Sequence, residues 1–308
     1  MNQAARQYLS QLLALSPQAM YLVGGSIRDL IIGREDIKDI DILMQADSET
    51  VARNFADRIE GSFFFLDEAR NISRVIKRVG HDSMQFDFTN FDGPDLYADL
   101  GRRDFTINAM ALDLRAFVAE QAINGLVDPF SGKDDIGLKI IRMVRPDALD
   151  EDPLRLLRAV RFAVTLGFSI EKTSAEHIRQ RSVLMNRPAP ERIRDEFFLI
   201  LAEEHAEKNL MLLDSLGLLS SILPEIEPLR GFTPGRYHVH DVLTHSIKTA
   251  GYVEAVIHEL RDIAPSHAGT IQSHLRENLE YLVPRMAALR FACLLHDMAK
   301  PEDLSQTD

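Results

Sequence analysis

The sequence predicts an α+β protein, with a mixed sheet and its helices first and helices alone afterwards. Two observations support this fold class. Up to residue 91, short apolar runs bounded by Gly and Asn are typical of strands, and they alternate with segments of helical periodicity. From about Pro146, apolar residues recur at helical spacing only. We therefore predict a sheet domain at residues 1–145, a helical domain at 146–225 and a further helical domain at 226–308.

The first predicted elements place a glycine turn between a strand and a helix. Residues 3–15 carry apolar side chains at helical spacing, and residues 20–23 form a short apolar run that predicts a buried strand. Gly24 and Gly25 follow as a tight turn, and a helix is predicted from Ser26. Backbone N–H groups at the start of a helix bind phosphate oxygens, so this turn is a candidate site for a triphosphate.

The next predicted strand carries two acidic residues, Asp39 and Asp41. Residues two apart in a strand share a face, so both carboxylates lie on one side while Ile40 and Ile42 point into the core. Mg²⁺ prefers carboxylate and substrate phosphate oxygens, and a pair of ions can activate an attacking hydroxyl and stabilise a leaving pyrophosphate. We therefore predict that Asp39 and Asp41 hold two Mg²⁺ ions.

The rest of the sheet domain contains one more candidate carboxylate. A helix is predicted at residues 49–59, and strands at 62–66, 74–79 and 84–91. Asp87 alternates with two phenylalanines in the last of these strands, so it faces away from their apolar side. It is either a third catalytic carboxylate or a solvated strand residue.

The helical part begins with a regular spacing of arginines. Residues 150–168 have a helix-core pattern, with Pro153 at the first helical position and Asp152 as its cap. Arg155, Arg158 and Arg161 recur every three residues along one side and can point at a nucleotide. Further helices are predicted at residues 174–181, 189–204 and 207–219.

Composition excludes several classes of protein. A chain of 308 residues, 45% of them apolar, can bury a sizeable core. Its one cysteine, Cys293, excludes an internal disulfide and fits a reducing cytosol, and no signal pattern or membrane-length apolar run is present. We expect a cytoplasmic protein without membrane contact. The net charge of −12 argues against a broadly basic surface, yet arginines are dense between residues 142 and 194, so charge does not decide the partner.

The ordered motifs resemble the class II tRNA nucleotidyltransferase and bacterial poly(A) polymerase family, whose head domain is of the DNA polymerase beta-like type. The resemblance rests on four segments: the glycine turn with Arg28 and Asp29 followed by Asp39 and Asp41, the sequence RRDFTINA at 102–109, EDPLR at 151–155 and ERI at 191–193. It implies a nucleotidyltransferase head, a helical neck that selects the nucleotide, and helical parts that hold RNA. The implied partners are tRNA or another RNA 3′ end and CTP or ATP, with no DNA.

The resemblance also implies roles for individual residues. Gly24, Gly25 and Arg28 would hold the triphosphate, and Asp39 and Asp41 would be catalytic. Asp87 joins them as the third catalytic carboxylate on the ground of its position in the strand. Arg103 and Asp104 would contact the sugar, with Asn108 beside them. The remaining nucleotide-binding positions lie in the helical part: Glu151, Asp152, Arg155, Arg158 and Arg161. A carboxylate accepts from an exocyclic amine and a guanidinium donates to ring nitrogens or carbonyls, so Asp152 and Arg155 would read CTP or ATP without a template.

The C-terminal part resembles the HD metal-dependent phosphohydrolase domain. His238, His240, Asp241 and His245 are followed, after an apolar helix, by His296 and Asp297. His245, His296 and Asp297 are a second candidate site for a divalent metal. A complete HD site needs further ligands downstream and the sequence stops at Asp308, so we expect a truncated HD domain.

The connection at residues 92–101 bears on the product. In relatives that build the whole CCA end, this segment is longer and acts as a lever that changes the base pocket from CTP to ATP. A shortened segment, here stiffened by Gly93 and Pro94, marks relatives that add two cytidines. We therefore favour CC addition over complete CCA addition, although surface loops also change length without consequence.

Three alternatives remain open at this point. Poly(A) addition shares the motifs, and an HD phosphohydrolase with a degenerate head or a non-catalytic RNA-binding module are further interpretations. The intact carboxylates Asp39 and Asp41 argue against the last two.

Overall fold

The chain forms two compact units in the computed structural model, residues 1–148 and 149–308. The structure describes residues 3–34, 36–80, 82–120, 123–233, 239–280 and 283–301. The proposed boundaries at 145 and 225 stay predictions. Within the described ranges, no helix is both long and apolar enough to cross a membrane.

The first unit is built on a seven-stranded mixed sheet with strand order β3-β4-β5-β2-β1-β6-β7. Only β2 and β5 are parallel neighbours, and the other neighbouring pairs are antiparallel. The strands are β1 (Met20–Val23), β2 (Asp39–Met44), β3 (Ser62–Asp67), β4 (Ile72–Val79), β5 (Asp82–Asn90), β6 (Ala111–Asp113) and β7 (Leu126–Val127). The predicted strands are therefore confirmed, with ends shifted by up to two residues.

The first unit also contains helices. They are α1 (Gln3–Leu13), α2 (Gly25–Ile32), α3 (Ser48–Ile59), α4 (Leu96–Gly101), α5 (Leu114–Glu120) and α6 (Gly132–Leu138), with a 3₁₀ turn at Thr106–Asn108. A short strand, β8 (Ile140–Ile141), follows, and the next helix, α7 (Ala148–Glu151), has its last three residues in the second unit.

The two faces of the sheet carry different groups. On one face, Phe55 of α3 packs edge-on against Phe86 and also meets Phe88, and both β5 rings are fully buried. On the other face, Leu96 and Leu100 of α4 form a small core with Val23 and its neighbours Leu43 and Ala111. Because side chains alternate along β5, Asp87 is placed on the second face, away from Phe86 and Phe88.

The second unit is helical apart from two-residue and three-residue strands. Its elements are α8 (Arg155–Leu166), β9 (Ser169–Ile170), α9 (Lys172–Arg181), α10 (Pro190–Ala202), α11 (Ala206–Ser215), α12 (Leu218–Ile222), α13 (Val242–His258), α14 (Leu260–Ile263), α15 (Ala268–Arg276), β10 (Asn278–Glu280), β11 (Val283–Pro284) and α16 (Arg285–Leu295).

Two predicted helices differ from the structure. The helix predicted at 150–168 begins only at Arg155, and Asp152 is not its cap: Oδ1 of Asp152 accepts from the N–H of Leu154 at 3.2 Å, which closes a tight turn before the helix. The helix predicted at 207–219 is two helices, because Gly217 adopts φ +70 between α11 and α12.

Candidate active site

The pairing of β2 with β5 aligns the predicted carboxylates. Asp41 lies directly opposite Asp87 in the parallel register, and Asp39 lies opposite Gln85. Ile40 and Ile42, between and beyond the two β2 aspartates, are buried as predicted. Residues directly opposite one another on neighbouring strands point to the same face, so Asp39, Asp41 and Asp87 share one side of the sheet.

Asp87 is held by Arg74 on the neighbouring strand β4. Nε and Nη2 of Arg74 donate to the two carboxylate oxygens at 2.6 and 2.7 Å, a bidentate ion pair on half-buried side chains. The prediction of Asp87 as a third catalytic carboxylate stays a prediction, and the structure adds Arg74 as its partner. Arg74 was missed because the sequence does not show which strand lies beside β5.

The surroundings of the two β2 carboxylates, Asp39 and Asp41, disfavour their ionised form. Burial raises the pKa of Asp41 to about 6, the carboxylates of Asp87 and Asp39 act in the same direction, and Arg103 and Arg74 oppose the rise. Burial also raises the pKa of Asp39, although Arg74 counteracts it. A cluster of carboxylates that resist ionisation in the protein alone is the donor set that a divalent cation stabilises.

The glycine turn lies against Asp41. Gly24 has φ +66, and a Cβ atom there would lie 2.8 Å from Oδ2 of Asp41 and 3.3 Å from Nη1 of Arg103. α2 begins directly after it at Gly25, as predicted within one residue. The turn therefore places the first N–H groups of α2 next to the Asp41 carboxylate and the Arg103 guanidinium.

The predicted nucleotide-binding residues of the first unit form a hydrogen-bonded chain. Arg28 donates from Nε to Asp29 and from Nη1 to the side-chain oxygen of Asn108, both at 2.9 Å. Asn108 in turn donates from Nδ2 to Oδ1 of Asp104 at 3.1 Å, and that oxygen also accepts from the N–H of Phe105. Arg28, Asn108 and Asp104 are all buried, so their positions are fixed before any ligand binds.

Arg103 has a partner that sequence reasoning missed. Its Nε and Nη2 donate to Oδ2 of Asp99 at 3.2 and 3.0 Å. Asp99 stands four residues before Arg103, which is the spacing of an ion pair on one helix face, so the signal was present in the sequence.

The residues predicted to read the base lie in the second unit. Asp152 pairs with Arg192 at 3.1 Å, and Arg155 lies 4.0 Å from Glu151. Arg161 forms a 2.6 Å ion pair with Glu196, and Arg158 lies 3.7 Å from the same carboxylate. Arg158 and Arg161 therefore form an ion-pair cluster with Glu196 within this unit. Nucleotide contact stays a prediction for the residues named in this paragraph.

The second candidate metal site brings together one residue of α13 and two that follow α16. One ligand atom from each of His245, His296 and Asp297 lies within 4.8 Å of the others. Lys300 donates to Oδ2 of Asp297 at 2.6 Å, and Nε2 of His296 lies 3.2 Å from the same oxygen. His238, from the predicted HD motif, lies outside the described residues.

Comparisons with known proteins agree with the motifs. Residues 20–142 match the family model of the poly A polymerase head domain, and residues 167–229 match the model described as "Probable RNA and SrmB- binding site of polymerase A". The chain belongs to the class II tRNA nucleotidyltransferase and poly(A) polymerase family.

Two curated relatives carry different activity names. The chain is 34% identical over 295 residues to the A-adding tRNA nucleotidyltransferase of Deinococcus radiodurans, covering 94% of this chain and 59% of the relative. It is 37% identical over 202 residues to the CC-adding tRNA nucleotidyltransferase of Geobacter sulfurreducens, covering 66% of this chain and 45% of the relative. The chain thus spans less than two thirds of either relative.

Solved structures show the same fold. A tRNA nucleotidyltransferase complexed with a primer tRNA and an incoming ATP analog has a TM-score of 0.66 at 23% identity, covering 97% of this chain and 78% of that one. A CCA-adding enzyme in complex with CTP has a TM-score of 0.67 at 22% identity, covering 99% and 68%. The predicted head domain of the DNA polymerase beta-like type, followed by helices, is confirmed.

Proposed function

We propose that this chain adds nucleotides to the 3′ end of tRNA, using CTP or ATP and releasing pyrophosphate. The observation that carries the proposal is the alignment of Asp41 with Asp87 beside the Gly24 turn at the start of α2. The carboxylates of Asp41 and Asp87, the N–H groups at the start of α2 and the Arg103 guanidinium therefore lie on one side of the sheet, near the Gly24 turn. The names of the relatives supply the tRNA substrate.

Asp39 and Asp41 would hold two Mg²⁺ ions, with Asp87 beside them. The residues fit these ions, since burial and repulsion from neighbouring carboxylates raise the pKa of both β2 carboxylates and hard oxygen donors are what Mg²⁺ binds. When bound, the ions activate an attacking hydroxyl and stabilise the leaving pyrophosphate.

The chain's own residues would position the nucleotide for attack by the RNA 3′-hydroxyl on the α-phosphate. The N–H groups at the start of α2 would donate to phosphate oxygens, and Gly24 leaves the space for them. Arg103 and Asp104 would contact the sugar, and Asn108 would hold Asp104 in place through their 3.1 Å hydrogen bond. No covalent enzyme intermediate is required, because phosphoryl transfer depends chiefly on positioning and electrostatic stabilisation.

Base choice would come from the second unit. Asp152 accepts hydrogen bonds and Arg155 donates them, which suits the edges of cytosine and adenine and rejects uracil. Glu151 and Arg192 lie beside these two residues and would hold their side chains in place.

We favour addition of two cytidines as the product. Most of the connection at 92–101 is helical, since α4 occupies Leu96–Gly101. A Cβ atom at Gly93 (φ +137) would lie 2.9 Å from that of Ala98, and Arg102 forms a 2.5 Å ion pair with Asp92. A segment fixed at both ends has little freedom to reshape the base pocket between additions. Addition of adenosine alone is the second candidate, because the Deinococcus relative covers more of this chain than the Geobacter relative.

The test uses two tRNA substrates, one lacking the whole CCA end and one ending in CC, each with labelled CTP or ATP. We expect two cytidines on the first substrate and no adenosine on the second. Adenosine on the CC-ending tRNA alone would support the second candidate, and long adenosine tails on unstructured RNA would indicate a poly(A) polymerase. If wild-type protein adds nothing to any substrate, or if Asp41→Asn adds as much as the surface control Asp57→Asn, the proposal is wrong.

A further inference from the structure

Asp99 on α4 is a buried acid inside the short connection. Only 6% of it is exposed, and its two oxygens have different partners. Oδ1 accepts from the backbone N–H of Asp92 at 2.9 Å, and Oδ2 accepts from Nε and Nη2 of Arg103 at 3.2 and 3.0 Å. One carboxylate therefore joins Asp92, the first residue of the connection, to Arg103, which lies two residues beyond its end.

α4 has anchors that do not involve Asp99. Leu96 and Leu100 already anchor the helix in a core cluster with Val23, and Asp95 caps its start by accepting from the N–H of Ala98 at 2.8 Å. Burying a carboxylate costs free energy that its partners only partly return, so a buried ion pair is weak evidence for a stabilising role. The contacts of Asp99 point instead to Arg103.

The geometry of Arg103 shows what such a contact accomplishes. Nε and Nη2 of Arg103 converge on one oxygen of Asp99, so this edge of the guanidinium is held against the carboxylate. The third nitrogen, Nη1, then lies 3.3 Å from the site of a Cβ at Gly24, over the turn that begins α2. Asp99 thus holds Nε and Nη2 of Arg103, while Nη1 faces the candidate nucleotide site at the Gly24 turn.

We propose that Asp99 is a positioning residue that sets the Arg103 guanidinium for nucleotide binding and couples it to the 92–101 connection. The proposal rests on the proposed function, in which Arg103 contacts the incoming nucleotide. Because Asp92 donates to the same carboxylate, a change in the turn at Asp92 alters the hold on Arg103. The connection then acts on the nucleotide site through Asp99.

The kinetic test compares Asp99→Asn with wild type. The amide keeps the shape but loses the charge, and it presents a donor or a single neutral acceptor to Arg103. We expect the KM for CTP to rise on the order of tenfold, the loss of a charge-assisted hydrogen bond, with kcat changed less than about threefold. We expect KM to change more than kcat because Arg103 would contact the nucleotide in the ground state as well as in the transition state.

Two controls separate positioning from loss of stability. Asp95→Ala removes the cap of the same helix without touching Arg103, so it should lower the melting temperature and leave the KM for CTP within about twofold. In an Arg103→Ala background, Asp99→Asn should raise KM by less than about twofold further, since its route of action is gone. If Asp95→Ala raises KM as much as Asp99→Asn does, or if the two effects at 99 and 103 are additive, the positioning role is wrong.

A second readout needs no activity. The side-chain Nε–H of Arg103, assigned by its loss in Arg103→Ala, should exchange slowly with solvent in wild-type protein and faster in Asp99→Asn, because the hydrogen bond to Asp99 protects it. A chain that adds no nucleotide but shows this protection would refute the proposed function and keep the Asp99–Arg103 contact. Equal exchange rates in both proteins would refute the positioning role whatever the activity.

Discussion

A Cβ atom at Gly24 would lie 2.8 Å from Oδ2 of Asp41, closer than side-chain carbons approach other atoms. Gly24 is therefore required for two reasons, its φ of +66 and its contact with the carboxylate on β2. The glycine turn and the acidic pair, two separate signals in the sequence, are one structural unit in the fold.

The first prediction separates these two reasons. Gly24→Ala should lower kcat/KM for nucleotide addition on the order of a hundredfold, since the methyl group displaces the Asp41 carboxylate and crowds Arg103. The matched control is Gly33→Ala at the end of α2, with φ +88 and no atom within 4 Å of its Cβ. Gly33→Ala carries the strain of about 1–2 kcal/mol that an L residue has in the left-handed region. Gly24→Ala carries more, because its ψ of −137 lies outside that region, so the activity of each variant is measured at a temperature where it is fully folded. Equal activities of the two variants would show that the Gly24–Asp41 contact has no functional role.

The second prediction follows from the raised pKa of Asp41. A carboxyl with an ordinary pKa of 3.8 and a folded pKa of about 6 binds more protons in the folded state between these values. Stability therefore falls as pH rises from about 4 to 6, and the full penalty, on the order of 3 kcal/mol, is present above pH 6. With a metal chelator present, the free energy of unfolding in urea should be higher for Asp41→Asn than for wild type at pH 7. The two values should be equal below pH 4.

The same measurement tests the metal. Excess MgCl₂ at pH 7 should stabilise wild type and leave Asp41→Asn unchanged, because the ion neutralises the carboxylates that repel one another. Asp57→Asn on the exposed side of α3 is the control and should behave as wild type. If Mg²⁺ stabilises Asp41→Asn and wild type equally, Asp41 is not a ligand.

The features of this site that depend on neighbouring residues in the chain could be predicted from the sequence. Those that depend on the pairing of distant strands could not. Alternation alone placed Asp39 and Asp41 on the face opposite Ile40 and Ile42, because the side-chain period of a strand is fixed. The pairing of Asp41 with Asp87 depends on register between strands more than 40 residues apart, which no local pattern specifies. The same limit hid Arg74, whereas Asp99 was missed despite a local signal.

The helical unit shows a second kind of limit. The apolar spacing from residue 150 onward predicted one helix, but Asp152 bonds the N–H of Leu154 and ends the regularity. Short acidic side chains compete with helical hydrogen bonds in this way, and whether they cap a helix or close a turn depends on flanking structure. The helix was correct, but it begins at Arg155, two residues after Pro153, which was the predicted first helical position.

The third prediction distinguishes base selection from structure among the arginines of α8. Arg155→Ala should relax discrimination against UTP and GTP by about tenfold or more, which is what one lost base-edge contact costs. The free energy of unfolding is measured beside the discrimination, so that a loss of stability is told apart from a loss of base selection. Competition between labelled nucleotides on one tRNA measures the discrimination.

Arg161→Ala is the matched control on the same helix. It removes the 2.6 Å partner of the buried Glu196 and should cost about 1–3 kcal/mol of stability without changing which nucleotide is added. If Arg155→Ala instead only destabilises the fold, and selectivity stays that of wild type, Arg155 is a structural residue.

The last prediction concerns the cluster of His245, His296 and Asp297. Three ligand atoms within 4.8 Å suit a transition-metal ion, but Oδ2 of Asp297 already accepts from Lys300 at 2.6 Å. The ammonium competes for the same oxygen, so Lys300→Met should bind Ni²⁺ or Mn²⁺ more tightly than wild type, and His296→Ala more weakly, in a calorimetric titration. His274→Ala, an exposed histidine bonded to Arg285, is the control and should match wild type. Binding that is equal in all four proteins would show that these three residues do not form a metal site.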